Sequence, residues 1–299
     1  MNGIVGCMGQ LDAALLADAE RLIRAALAED LGADDPAHLS AEADITSAAV
    51  IPAEARFEGV ITAREPCVVA GLPFACAAFR LLAEEIAFIP ATVDGIKVPA
   101  GNILAHVRGP ARALLAAERT ALNLLQHASG IATCTRAFIE AMGETQAKLL
   151  DTRKTIPGLR RLEKYATQKG GAQNHRLGLH DAILIKDNHI AVAGSVAEAV
   201  RRAKAAGHEQ VEVECDTLEQ VKEALNAGAT RLLLDNMDTE TLKQAVALAR
   251  GKAETEASGG LTLENIAEVA ATGVDYISVG SALTLSAPAI DIGLDWQPA

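Results

Sequence analysis

From about residue 145 onward, short apolar runs alternate with longer segments in which apolar and polar positions mix. The runs at 148–150, 182–185, 210–213, 231–234, 254–257 and 276–279 have the length and composition of buried strands. Between the later ones, 196–206, 218–227, 239–249 and 263–272 carry apolar residues at i, i+3, i+4 spacing, the stripe of an amphipathic helix. Gly207, Gly228 and Gly273 stand where helix C-terminal caps belong. Strand–helix units repeated at this spacing predict a parallel sheet, either doubly wound or closed into a barrel.

The polar residues at the strand ends separate the two. Each run finishes in a chemically capable group: Asp151 with Arg153 and Lys154, then Lys186, Glu214, Asp235, Ser258, and Gly280 with Ser281. In a β/α barrel all strand C-termini converge on one face, so these groups would ring one pocket. A doubly wound sheet gathers ligand groups mainly at its switch point and would use fewer strands. The expected fold is therefore α/β, an irregular, incomplete β/α barrel, since fewer than eight strands are visible.

The first half has a different pattern. An amphipathic helix is expected over 11–27, strands at 57–63 and 103–107, and a helix near 74–84. Pro110 opens a long helical stretch through Met142, with a break or bend expected at Ser129-Gly130. This predicts a smaller N-terminal α+β domain over 1–128 and a catalytic barrel over 129–285. The tail 286–299 is a candidate to pack back on the first domain.

Composition narrows the partners. Hydrophobic residues are 50% of the 299, enough for a large core, while aromatics are only 3%, too few for base-stacking platforms. A net charge of −12 argues against nucleic acid, whose phosphates need a basic field. No uncharged run approaches the length of a membrane span. The five cysteines, scattered and without C-x-x-C spacing, read as reduced thiols of a cytoplasmic protein.

Within this acidic chain one stretch is cationic. Arg153 and Lys154 follow an apolar run directly and precede Thr155-Ile156-Pro157-Gly158, which puts them on a strand-end loop and not on a helix surface. Lys186 closes another apolar run. Arg176 beside His175 suits carboxylate recognition, a guanidinium fork with a second donor alongside. Glu214 and Asp235 end successive strands and suggest a magnesium–phosphate arrangement, or ion pairs with Lys186 and Lys154. Ser258-Gly259-Gly260, expected just before a helix opening near Thr262, and Val279-Gly280-Ser281 one strand later would let phosphate approach backbone N–H groups. Together these residues call for a ligand with phosphate at one end and carboxylate at the other.

The same residues carry a resemblance. Asp151–Arg160 (Asp-Thr-Arg-Lys-Thr-Ile-Pro-Gly-Leu-Arg), Asn174-His175-Arg176-Leu177-Gly178-Leu179 and Ile185-Lys186-Asp187-Asn188-His189-Ile190 closely resemble carboxylating nicotinate-nucleotide pyrophosphorylase, the quinolinate phosphoribosyltransferase family. The match extends through Glu118-Arg119-Thr120, Leu234-Asp235-Asn236-Met237, Glu256-Ala257-Ser258-Gly259-Gly260 and Ser278-Val279-Gly280, and covers nearly the whole chain. It implies transfer of phosphoribosyl from phosphoribosyl pyrophosphate to quinolinate, with decarboxylation to nicotinate mononucleotide and Mg2+ as cofactor. Within the same fold, another aromatic acid would be the alternative substrate; a non-catalytic binder of anionic metabolites is the alternative outside catalysis. Thr152, Arg153, His175, Arg176 and Lys186 would face quinolinate. Lys154, Glu214 and Asp235 would face the phosphoribosyl group and magnesium, and Ser258–Gly260 with Val279–Ser281 the 5′-phosphate. The resemblance further implies a homodimer in which Arg119 reaches the partner's site. One departure is Lys169-Gly170-Gly171-Ala172-Gln173, where the family commonly carries a longer glycine run.

Overall fold

The computed structural model describes residues 11–297, which form two compact units. The first comprises the described residues up to Cys134, Ile156–Gly170 and the chain from Ala287 onward. Helix α1 (Ala13–Leu31) starts at Asp12, whose carboxylate accepts the Leu15 N–H, and stops at Gly32 in the left-handed region. It buries Leu15, Ala19, Ile23 and Leu27, a spacing of four and one heptad face. The short helix α2 (Ile45–Val50) is capped by Asp44. Strands β1 (Arg56–Ala63), β2 (Cys67–Val68), β3 (Ala87–Pro90), β4 (Lys97–Val98) and β5 (Ile103–Pro110) follow, with α3 (Leu72–Leu82) between β2 and β3.

An antiparallel sheet runs C-terminal strand (Ile292–Trp296), β1, β5, β3, with β2 and β4 paired separately. In β5 buried Ala105 and Val107 alternate with exposed His106 and Arg108, as a sheet covered on one face requires. Phe74 and Phe79 of α3 and Leu114 and Leu125 of the long helix α4 (Ala111–Met142) are fully buried in the same core. Each such side chain contributes about 1.5–3 kcal/mol. Contrary to the expected interruption, α4 runs unbroken for 32 residues. Gly130 serves close approach instead: a Cβ there would overlap the Pro288 carbonyl oxygen and lie 3.0 Å from its carbon.

Helix α5 (Arg160–Gly170) joins this unit through buried polar contacts. Tyr165 donates to Asp94 at 2.7 Å, and Asp94 also accepts the Gly71 and Leu72 N–H groups at the start of α3. Burial raises the Asp94 carboxyl, an effect its three donors oppose. Fully buried Glu163 accepts from Ile156 N–H and meets His127 Nε2 at 2.9 Å. Cys67, Cys134 and Cys215 are free thiols. Cys7 lies outside the described residues.

The second unit is residues 135–155 and 171–286. Its strands are β6 (Lys148–Leu150), β7 (Ile183–Ile185), β8 (Val211–Cys215), β9 (Arg231–Asp235), β10 (Glu254–Ser258) and β11 (Tyr276–Ser278). Helices α6 (Asp187–Ala193), α7 (Val196–Ala205), α8 (Leu218–Ala227), α9 (Thr239–Ala249) and α10 (Ile266–Ala270) connect β7 through β11. All pairings are parallel and the order is β6-β11-β10-β9-β8-β7. Consecutive strands from β7 to β11 are neighbours, and the last pairs with the first. That is the order of a barrel with one open seam, between β6 and β7. Gln173 bridges to Leu150 on the seam side of β6.

Ser195, Thr217 and Asp238 cap α7, α8 and α9 with their side chains. The helix expected over 263–272 is shorter. Asn265 folds back, accepting the Thr262 N–H and donating to the Gly260 carbonyl, so helix starts only at Ile266. Phosphate would therefore meet loop N–H groups at Gly259 and Gly260, not a helix end near Thr262. Ala172 is no obstacle to the loop: the positive φ falls on Gly171, and Ala172 is buried in ordinary backbone geometry.

Candidate active site

The parallel register levels the strand ends, pairing Ser258 with Asp235 on one side and Ser278 on the other. Above them opens a cavity of about 460 Å3, a size suited to a small ligand. Of the residues expected at the site, Thr152, Arg153, Lys154, His175, Arg176, Lys186, Glu214, Asp235 and Ser258 line it. Gly259, Gly260, Val279, Gly280 and Ser281 follow the lining Ser258 and Ser278 directly but do not form its wall. Arg119 is exposed on α4, in the first unit, and is not among the lining residues.

Asp151 holds the two cationic motifs together. Fully buried at the end of β6, it accepts the Asn174 amide at 2.7 Å and the His175 N–H at 2.8 Å. Thr152 Oγ1 accepts the Lys154 N–H, and the Lys154 carbonyl accepts the Thr284 hydroxyl. The next loop is braced by Asp181, which accepts the Leu177 and Gly178 N–H groups, and by Arg176 donating to the Ala182 carbonyl. His189 accepts the Lys186 N–H and so caps α6, a structural role the sequence left open.

The pocket electrostatics ask for an anion. Burial lowers the Arg176 pKa, and the neighbouring Arg153 guanidinium lowers it further. Arg153 Nε is buried with no hydrogen-bond partner among the described residues. Two guanidiniums held close, one with an unanswered donor, are costly unless a ligand supplies negative charge. Lys186 is 43% exposed and paired with Glu214, as one of the sequence readings proposed. Asp235 instead accepts from the Asn236 amide at 2.6 Å. Asn236 has φ +54°, a left-handed conformation that asparagine tolerates, and its N–H donates to the Ser258 carbonyl.

Leu184, Leu233, Ser278 and Glu256 also line the cavity and were not anticipated. Glu256 and its neighbour Glu212 lie two residues before Ser258 and Glu214, so the two-residue period of a strand puts them on the same face. That signal was present in the sequence. Both are buried near His175, whose Nε2 is 3.3 Å from Glu212 and 3.5 Å from Glu256. Three ligand atoms within 4.8 Å of one another would suit a metal in principle. However, His175 Nδ1 accepts the Arg176 N–H at 2.7 Å, so Nε2 carries the ring proton and faces the carboxyls as a donor. Burial first, then the adjacent Glu212, raise the Glu256 pKa to about 7, with His175 opposing. This arrangement favours a shared proton among the three groups.

The domain models of quinolinate phosphoribosyl transferase match residues 44–129 (N-terminal domain) and 131–295 (C-terminal domain). The chain belongs to the quinolinate phosphoribosyltransferase family. It is 47% identical over 262 residues to the nicotinate-nucleotide pyrophosphorylase [carboxylating] of Mycobacterium leprae, covering 84% of this chain and 90% of that one. It is 40% identical over 297 residues to the chloroplastic enzyme of that name from Arabidopsis thaliana, covering 93% and 82%. The solved structure of the nicotinate-nucleotide pyrophosphorylase from Francisella tularensis superposes with a TM-score of 0.87 at 40% identity, covering 94% of this chain and 96% of that one. Among the described residues no helix is long and apolar enough to cross a membrane.

Proposed function

We propose that the chain transfers phosphoribosyl from phosphoribosyl pyrophosphate to quinolinate and decarboxylates the product to nicotinate mononucleotide, pyrophosphate and carbon dioxide. The observation that carries this reading is the Arg153–Arg176 pair, with the buried, unanswered Nε of Arg153. A dianion with adjacent carboxylates would satisfy both guanidiniums at once, and Lys186 lines the same cavity. His175 contributes from below: with both ring nitrogens turned to protein groups, it orients the Arg176 backbone.

The remaining wall suits the second substrate. Glu214 and Asp235 would face the ribose, Lys154 the pyrophosphate, and the loops Ser258–Gly260 and Val279–Ser281 the 5′-phosphate. Glu214 and Asp235 are hard oxygen donors on one cavity, so they fit magnesium held largely through substrate and water. Magnesium bound there would neutralise charge on the departing pyrophosphate. The pyridine nitrogen attacks C1 of the ribose itself, so no protein nucleophile is needed. The chain's residues align the two anions and offset their mutual repulsion. We also place Arg119 in the site of a partner subunit, in a homodimer, since it is exposed on α4 and does not line this cavity.

Calorimetric titration with quinolinate and with nicotinate tests the carboxylate reading. Nicotinate lacks one carboxylate, and leaving a buried guanidinium donor unanswered should weaken binding by about 2 kcal/mol or more. Equal affinity for the two acids contradicts it.

A further inference from the structure

Decarboxylation makes a demand that the residues assigned so far do not meet. When the bond from C2 to its carboxylate breaks, the electron pair stays on C2 beside the cationic ring nitrogen, and carbon dioxide leaves. C2 must then gain one proton. Glu214 is paired with Lys186, and Asp235 accepts from Asn236. Glu256 differs from both. It lines the cavity, is fully buried, and neither of its oxygens meets a donor in good hydrogen-bonding geometry.

The groups facing Glu256 come from β8, β9, β11 and the loop that carries His175. Glu212 of β8 and the Ser278 hydroxyl of β11 lie alongside. His175 Nε2 is 3.5 Å away, and Arg231 Nη1 of β9 is 3.8 Å away. Burial and the Glu212 carboxyl favour the protonated acid. The imidazole N–H and the guanidinium stand ready to stabilise its conjugate base.

We propose that the Glu256 carboxyl is the proton donor to C2 in the decarboxylation step. The Glu256 O–H bond breaks as the C2–H bond forms, and the resulting carboxylate is received by His175 Nε2–H and Arg231. Solvent water then returns the proton between turnovers. This inference rests on the reading that the chain decarboxylates quinolinate.

The experiment is single-turnover carbon dioxide release with quinolinate, phosphoribosyl pyrophosphate and Mg2+, for wild type, Glu256→Gln and Glu256→Asp. General-acid catalysis predicts that Glu256→Gln slows release by about 100-fold or more while quinolinate affinity changes far less. The wild-type rate should fall as pH rises above neutrality, because the donor loses its proton. That limb should persist in Glu256→Asp and vanish from the residual activity of Glu256→Gln. A Glu256→Gln protein as fast as wild type overturns the proposal. So does a wild-type rate that is flat with pH through the alkaline range, a result that stands even if the variants fail to fold. A wild type that releases no carbon dioxide overturns the functional reading instead.

Discussion

Gly259 is the position where a single methyl group would do most damage to the loop Ser258–Gly260, proposed above to hold the 5′-phosphate. Its φ of +95° is a conformation that L-residues rarely adopt. A Cβ built there would collide with Asn236 Oδ1 and lie 2.6 Å from its Cγ and 2.9 Å from its backbone nitrogen. The Asn236 side chain could swing away only by giving up its hydrogen bond to Asp235, and the backbone contact would remain. Backbone strain contributes about 1–3 kcal/mol, and forced overpacking about 1–3 kcal/mol more. Gly259→Ala should therefore lose about 2–6 kcal/mol of stability, read as a fall in Tm of roughly 3–10 °C. If the displaced groups serve the phosphoribosyl substrate as proposed, KM for phosphoribosyl pyrophosphate should rise about tenfold or more while KM for quinolinate changes little. Steady-state kinetics with each substrate varied, beside a thermal melt, measures both. An unchanged Tm with an unchanged KM for phosphoribosyl pyrophosphate would refute the reasoning about this loop.

Asp151→Ala should cost about 1–3 kcal/mol, since it removes the fully buried carboxylate that accepts the Asn174 amide and the His175 N–H; chemical denaturation checks this, and quinolinate binding should weaken with it. Glu256→Gln should change stability in a pH-dependent way. A carboxyl whose folded pKa is raised stabilises the fold below its unfolded pKa and loses that contribution as pH rises through the folded value of about 7. The variant should thus melt higher than wild type at alkaline pH, with the advantage shrinking towards the ordinary carboxylate range; melts across pH would show it. Arg119→Ala and Lys186→Ala proteins, each inactive alone, should recover part of the activity on mixing if Arg119 serves the partner's site. Activity that stays absent after subunit exchange is established would place Arg119 elsewhere.

Much of the barrel was legible because its strands and helices repeat with local periodicity and local caps. The helices at 196–205, 218–227 and 239–249 have their own capping side chains and apolar faces. The cationic motifs were legible because strand-end loops carry charge directly after apolar runs. Other features depend on long-range contacts. Gly130 looked like a helix breaker, yet its partner is Pro288, far along the chain. Helix 160–170 groups with the first unit through Tyr165 and Asp94, a contact no local pattern announces. The strand at Ile292–Trp296 is short and part-exposed, so its pairing with β1 left no strong alternation. Glu212 and Glu256 were visible as alternating positions, but a charged residue inside a strand normally argues for solvent, and only the curled sheet of parallel strands buries them.

The most direct test of the account is turnover. Purified protein with Mg2+, quinolinate and phosphoribosyl pyrophosphate should yield nicotinate mononucleotide and carbon dioxide in equal amounts, and Arg153→Ala should abolish both. Folded wild-type protein that binds quinolinate yet forms neither product would contradict it.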